Sequence, residues 1–194
     1  MEIKKLAITA AVVVALGAIL ISGCAKPPTE KVDALKAEVA ALQEQGAQQF
    51  AVNEFDALNA KMADLDNLMS GKKFKEAAAL ADTLTTEAAA VKAAVETNGQ
   101  QLATAEVASA NEEVAKLKAL VAASLKALGA DSQTYSDQVT ALESQASGLQ
   151  AQIDNMQNLA AFNDSKSIKD QAAAATAEIT AKVEAAKPAP KGKK

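Results

Sequence analysis

The sequence predicts an all-α fold: an elongated antiparallel helical bundle, or coiled-coil hairpins, of three to four long helices preceded by a signal-peptide helix. Three observations carry this. Alanine, the best helix former, supplies 48 of 194 residues, while aromatic residues make up 3%. Apolar residues recur at spacings of three and four, the period of one helix face. Glycine and proline are sparse, 8 and 4 in the chain, and punctuate long stretches that carry neither. The 49% hydrophobic fraction overstates the core, because alanine buries little apolar area. The helices form readily around a thin core, and their small side chains let backbones approach closely.

The first element is an N-terminal signal, residues 1–23. Lys4 and Lys5 give a charged start, weakened by Glu2, and Leu6 to Ile21 form an apolar run interrupted only by Thr9. That run is short for a membrane span, which needs about 20 apolar residues, and it suits the core of a cleavable signal. It closes on Leu20-Ile21-Ser22-Gly23-Cys24, small residues leading to the only cysteine of the chain. An exported chain with one thiol cannot form an internal disulfide, so the thiol is either a reactive liability or consumed by modification. The bland alternative is an uncleaved signal anchor with Cys24 a chance residue beyond it.

Residues 24–29 read as a linker, with Lys26-Pro27-Pro28 before a helix that Thr29 can cap. The helical body spans 30–187. Val32, Leu35, Val39 and Leu42 make one seam, and Phe55, Leu58, Met62, Leu65 and Met69 continue it in a frame displaced by one. We read the displacement as a stutter near Gly46 within one helix reaching Met69. Ser70-Gly71-Lys72-Lys73 is a turn, with glycine free to take the left-handed conformation that ends a helix. A second helix runs from Phe74 to Leu128. Its seam keeps phase across Asn98-Gly99, so a kink is expected there rather than a reversal, with Asn98 in a core position where it can fix register. Gly129 to Ser132 supplies a glycine stop and a capping residue. Val139, Leu142, Ala146, Leu149, Ile153 and Met156 form the next seam. A last turn is expected at 162–165, where Asn163-Asp164-Ser165 caps a helix to Ala186, and Pro188 and Pro190 end it.

Residues 63–96 laid over 151–184 share nine identities at an offset of 88, among them Asp66-Asn67 and Phe74 with Asp154-Asn155 and Phe162. The repeating unit is then a helical hairpin whose phenylalanine closes the end where the chain reverses.

Charge divides the chain. The formal total is −4; without the signal's single net positive charge and the four lysines of the tail, residues 24–186 carry −9. An acidic body disfavours nucleic acid and anionic surfaces. All basic residues are lysines, so no guanidinium fork exists for bidentate phosphate binding. The tail, 188–194, is a disordered cationic segment, and Lys191, Lys193 and Lys194 are its candidate cell-wall contacts.

Catalytic chemistry is excluded by composition. The chain has no histidine and no arginine, so the usual proton shuttle, nitrogen ligand and phosphate clamp are missing. Glu112-Glu113 and Asp64-Asp66 read as solvated helix faces, and neither the segment at Asp64 nor that at Asp131 continues into a calcium loop. Tyr135, the only tyrosine, is expected to cover a bundle end. No catalytic residue, metal site or cofactor is expected.

Several resemblances add to this reading. Leu20 to Cys24 resembles the lipobox of bacterial lipoproteins, which implies cleavage between Gly23 and Cys24, a covalent diacylglycerol on the Cys24 thiol and an N-acyl chain on its amino group. Ala25-Lys26 after the cysteine resembles the pattern sent to the outer membrane in Gram-negative envelopes. Phe50-Ala51, Glu54-Phe55, Leu58, Lys61 and Leu65, followed by Gly71-Lys72-Lys73-Phe74-Lys75-Glu76-Ala77, are similar to small alanine-rich helical bacterial lipoproteins of unknown function. The proline those often carry near the aromatic-glutamate element is absent. A weaker similarity, a lipid-anchored coiled helix and a final lysine, links Lys194 to the murein lipoprotein family, whose terminal lysine joins peptidoglycan. Together these resemblances imply a lipid-anchored envelope protein with a structural or protein-interaction role. Its partners are the membrane, another helical protein, itself or peptidoglycan. The alternatives are a helical module for a small apolar or lipidic ligand, or a peptidoglycan tether through the basic tail.

Overall fold

A computed structural model describes residues 26–187. The expected signal peptide, Cys24 and the 188–194 tail lie outside the described residues. The fold is all-α: α1 Thr29–Glu44, a single-turn α2 Ala47–Phe50, α3 Val52–Ser70, α4 Phe74–Leu128, a 3-10 turn Gly129–Asp131, α5 Ser132–Asp154 and α6 Asn158–Ala185.

Two compact units result. The first comprises α1, Asn53 onward in α3, and α4 as far as Ala90; the second comprises 42–52, α4 from Val91, α5 and α6. In the first, Lys36 meets Asp66 at 2.7 Å and Lys61 meets Glu87 at 2.5 Å, while Lys31 pairs with Asp82. Short connections make α3 antiparallel to both neighbours. Val32, Leu35, Phe55, Leu58, Leu65, Ala81 and Leu84 fill the core, each at most 3% exposed. In the second, α5 is antiparallel to α4 and to α6; Lys118–Glu143 ties α4 to α5 at 2.8 Å and Glu106–Lys169 ties α4 to α6 at 2.6 Å. Its core runs from Ala103 through Leu117, Leu142 and Leu149 to Ile179.

Two expectations are corrected. The first helix does not reach Met69 unbroken. Gly46 takes φ 92° and Ala51 φ −143°, and the chain reverses between α1 and α3. The one-residue displacement of the seam is therefore no stutter: two helices each turn a separate face to one core. The turn expected at 162–165 lies at 155–157 instead. Met156 takes φ 59°, with its N–H bonded to Ile153 O at 2.9 Å and that of Gln157 to Gln152 O at 2.8 Å. This is a Schellman stop made without glycine. Asn163 and Asp164 are exposed within α6, and Ser165 is buried there. As expected, α4 runs through Asn98-Gly99 without a reversal. The glycine there makes room, because a Cβ would sit 3.0 Å from the Phe50 ring.

The turn at 71–73 is where the sequence placed it, but the left-handed residue is Lys72, φ 57°, one past Gly71. Its bonds, Lys72 N–H to Met69 O at 3.1 Å and Lys73 N–H to Leu68 O at 2.9 Å, repeat those of the Met156 turn at an offset of 84. The buried positions follow the same offset. Phe55, Leu58, Met62, Leu65, Ala77, Ala81, Leu84, Ala88, Val91 and Val95 correspond to Val139, Leu142, Ala146, Leu149, Ala161, Ser165, Ile168, Ala172, Ala175 and Ile179, all buried. In the preceding helix, Val32, Leu35 and Leu42 correspond to Val107, Ala110 and Leu117, an offset of 75. The repeat is thus a three-helix unit at 84, not a hairpin at 88. The 88-residue alignment errs by about one helical turn, which leaves an apolar seam nearly in phase. Phe74 and Phe162 are not equivalent in it.

One position tests the correspondence. Ser165 is fully buried and its hydroxyl donates to Ala161 O at 2.6 Å, a carbonyl already serving the helix, where the first unit has Ala81. Ser165→Ala should change stability by no more than about 1 kcal/mol and in the stabilising direction, read from the urea midpoint, since such back-bonding adds little to a helix. A loss of more than about 2 kcal/mol would show that the hydroxyl is indispensable and the two positions are not alike.

Candidate functional site

Of the residues singled out in the sequence, Gly23, Cys24, Lys191, Lys193 and Lys194 lie outside the described residues. The described chain begins at Lys26-Pro27-Pro28, and α1 starts at Thr29, five residues after Cys24. Among the described residues no helix is long and apolar enough to cross a membrane.

Within the second unit, the chain around α2 packs through a ring held between glycines. The Phe50 ring lies 3.0 Å from where a Cβ would stand on Gly46 and 3.0 Å from one on Gly99. Phe162 meets it edge-on, centroids 5.8 Å apart at 82°. Asn98 is half-buried and donates from Nδ2 to Phe50 O at 2.8 Å. Its amide therefore fixes register as the sequence suggested, but by holding a chain reversal rather than by pairing across a coiled coil. Beside this ring opens a cleft of about 600 Å³ lined by Glu44, Lys92, Glu96, Met156 and Asn158. Met156 is 71% exposed. Its wall mixes those polar groups with Val95, Leu159 and Ala160 and opens widely to solvent, whereas a small apolar ligand is usually held in a pocket that buries most of its surface.

At the α4–α5 connection the structure gathers Asp131, Tyr135, Glu178 and Lys182. Tyr135 is 4% exposed, in keeping with the bundle-end position expected from its place after a turn. The Lys182 ammonium lies 5.3 Å from the centre of its ring and 2.6 Å from the Asp131 carboxylate. A hydrogen bond to Glu178 and burial raise the Tyr135 pKa above 10.0, against the opposing pull of Lys182. Asp131, and then Tyr135, hold Lys182 above its usual 10.5. At neutral pH the phenol keeps its proton and the amine its charge, so neither is a base or a nucleophile; the cluster ties α6 to the connection. Only the Glu178-to-Lys182 spacing within α6 was visible in the sequence. The long-range partners needed the fold.

Both raised pKa values have the same linkage sign. Stability from these groups is complete below their unfolded values, near pH 10, and falls as pH rises through the folded values. Tyr135 is the only tyrosine and tryptophan is absent, so phenolate absorbance follows one residue. Its midpoint should lie above 10.0 in the folded protein and move down in Glu178→Gln; a midpoint at or below 10.0 contradicts the arrangement.

The carboxylate pairs noted in the sequence find ordinary partners. Glu112 and Glu113 both meet Lys116, at 3.0 and 2.9 Å, and raise its pKa, Glu113 most. Asp66 meets Lys36 and Asp64 is exposed. Comparison with protein-family models, with curated proteins and with solved structures found no match.

Proposed function

We propose that this chain is a lipid-anchored protein of the bacterial cell envelope with a structural or protein-interaction role. The observation that carries the reading is Leu20-Ile21-Ser22-Gly23-Cys24, small residues ending in the sole cysteine at the close of an apolar run. Signal cleavage before Cys24, a diacylglyceryl thioether on its sulfur and an acyl chain on its amino group give two or more buried chains, the number that stable anchoring requires. In an envelope with two membranes, Ala25-Lys26 favours the periplasmic face of the outer one. The body contributes helix surface. Some of its charged groups pair across helices, at Lys36–Asp66, Lys118–Glu143 and Glu106–Lys169, contacts that hold helix register. No catalysis is proposed.

Photo-cross-linking from exposed helix positions in intact cells tests the interaction role. A discrete adduct, with a helical protein or a second copy, supports it; diffuse labelling without any discrete adduct counts against it. Adducts confined to peptidoglycan and lost when Lys191, Lys193 and Lys194 are replaced would favour the tether through the basic tail.

A further inference from the structure

The −9 of the mature body is not evenly spread. Lys72, Lys73 and Lys75 place three lysines in four residues at the α3–α4 turn, a density no other four-residue stretch among the described residues reaches. All three are exposed. Lys73 lies 3.8 Å from Glu76, and the ion pairs of the described residues include neither Lys72 nor Lys75.

The register of the first unit puts this turn beside the start of α1. Lys36, two turns into α1, meets Asp66, one turn before the end of α3; Lys31, on the first turn of α1, meets Asp82, two turns into α4. Thr29 therefore lies within about two helical turns, ~10 Å, of the α3–α4 turn along the bundle axis. Five residues separate it from Cys24, and an extended chain of that length reaches about 17 Å. An anchor on Cys24 thus brings Lys72, Lys73 and Lys75, with Lys26 on the linker, to the membrane surface. The carboxylates at this end are Glu30 and Glu76, with Asp33 and the Lys36-paired Asp66 about a turn further in.

We propose that the Lys72-Lys73-Phe74-Lys75 turn is a second membrane contact, docking on the phosphate headgroups of anionic lipids in the leaflet that holds the Cys24 lipid. It rests on the anchor reading above. Basic residues near an anionic surface are attracted within a Debye length, about 10 Å at 0.1 M salt. The tethered turn stays within that distance, whereas an untethered acidic body is repelled. The contact converts a flexible tether into a defined stance, with α1 and α4 rising from the surface and α3 returning to it.

The test uses the full lipidated chain bound to vesicles of phosphatidylcholine alone, or of phosphatidylcholine with about a third phosphatidylglycerol. Lysine acylation is read by mass spectrometry residue by residue. Reactivity at Lys72, Lys73 and Lys75 should fall about threefold or more on the anionic vesicles and recover in high salt, while Lys61, near the middle of α3, stays unchanged. Protein that floats with both vesicles yet shows equal reactivity on them overturns the contact and leaves the anchor standing. Protein that fails to float with neutral vesicles overturns the anchor, and the contact with it.

Discussion

Phe50→Ala should destabilise the second unit by about 3–5 kcal/mol, the usual loss when a packed aromatic leaves a cavity. The ring is 4% exposed and meets Gly46, Gly99 and Phe162, so no flexible neighbour is free to fill its place. The sharper result concerns Gly99. In a helix interior, alanine is favoured over glycine by about 1 kcal/mol. In the native protein, however, its Cβ would press to 3.0 Å on the Phe50 ring and 3.3 Å on Asn158 Cβ. The ring is packed close to Gly46 as well, where a Cβ would also stand 3.0 Å away, so it gives way only by repacking. Gly99→Ala should therefore cost about 1–2 kcal/mol alone and become stabilising by about 1 kcal/mol in the Phe50→Ala background. Urea unfolding of the four proteins gives the cycle. Additive effects would mean that the ring and the glycine do not share space.

Cys24→Ala should have the largest effect of all, on processing. No acyl chains are then added, and the uncleaved apolar run of the signal takes their place as the membrane anchor. The variant should keep its signal, because the peptidase of the lipobox reading requires the modified cysteine, and mature lipidated protein should be absent from the membrane fraction. The helical body should be unaffected: Cys24 precedes α1, and no core position depends on it. Unchanged far-ultraviolet circular dichroism alongside lost lipidation is the expected pair of results.

How much was legible depends on how each feature is encoded. The helices and their faces were readable because burial at Leu58, Leu65, Leu142 and Leu149 repeats at helical spacing, and local spacing is a property of the chain alone. Gly129, at φ 55°, marks its stop in the same way. The Met156 turn was not readable: a Schellman stop with methionine in the left-handed position carries no glycine, and Asn163-Asp164-Ser165 offered a better-looking cap within the next helix. Gly99 was seen, but not the ring 49 positions earlier that it admits. The repeat was found one turn out of register for the same reason. Among alanines, a shift of four residues costs few matches, and only the paired hydrogen bonds of the Lys72 and Met156 turns fix the offset at 84. The reverse holds for the anchor. Leu20 to Cys24, the proposed address, is written in consecutive residues and needs no fold to be seen. The basic turn stands between these cases: Lys72, Lys73 and Lys75 are plain in the sequence, but their nearness to the linker comes from the ion pairs of α1.

The central claim is the lipid on Cys24, and the intact mass of the protein extracted from membranes tests it most directly. The account expects a chain beginning at Cys24, heavier than its polypeptide by a diacylglyceryl group and an acyl chain, with both modifications on the N-terminal peptide. A chain that begins at Met1 with a free Cys24 thiol would contradict it.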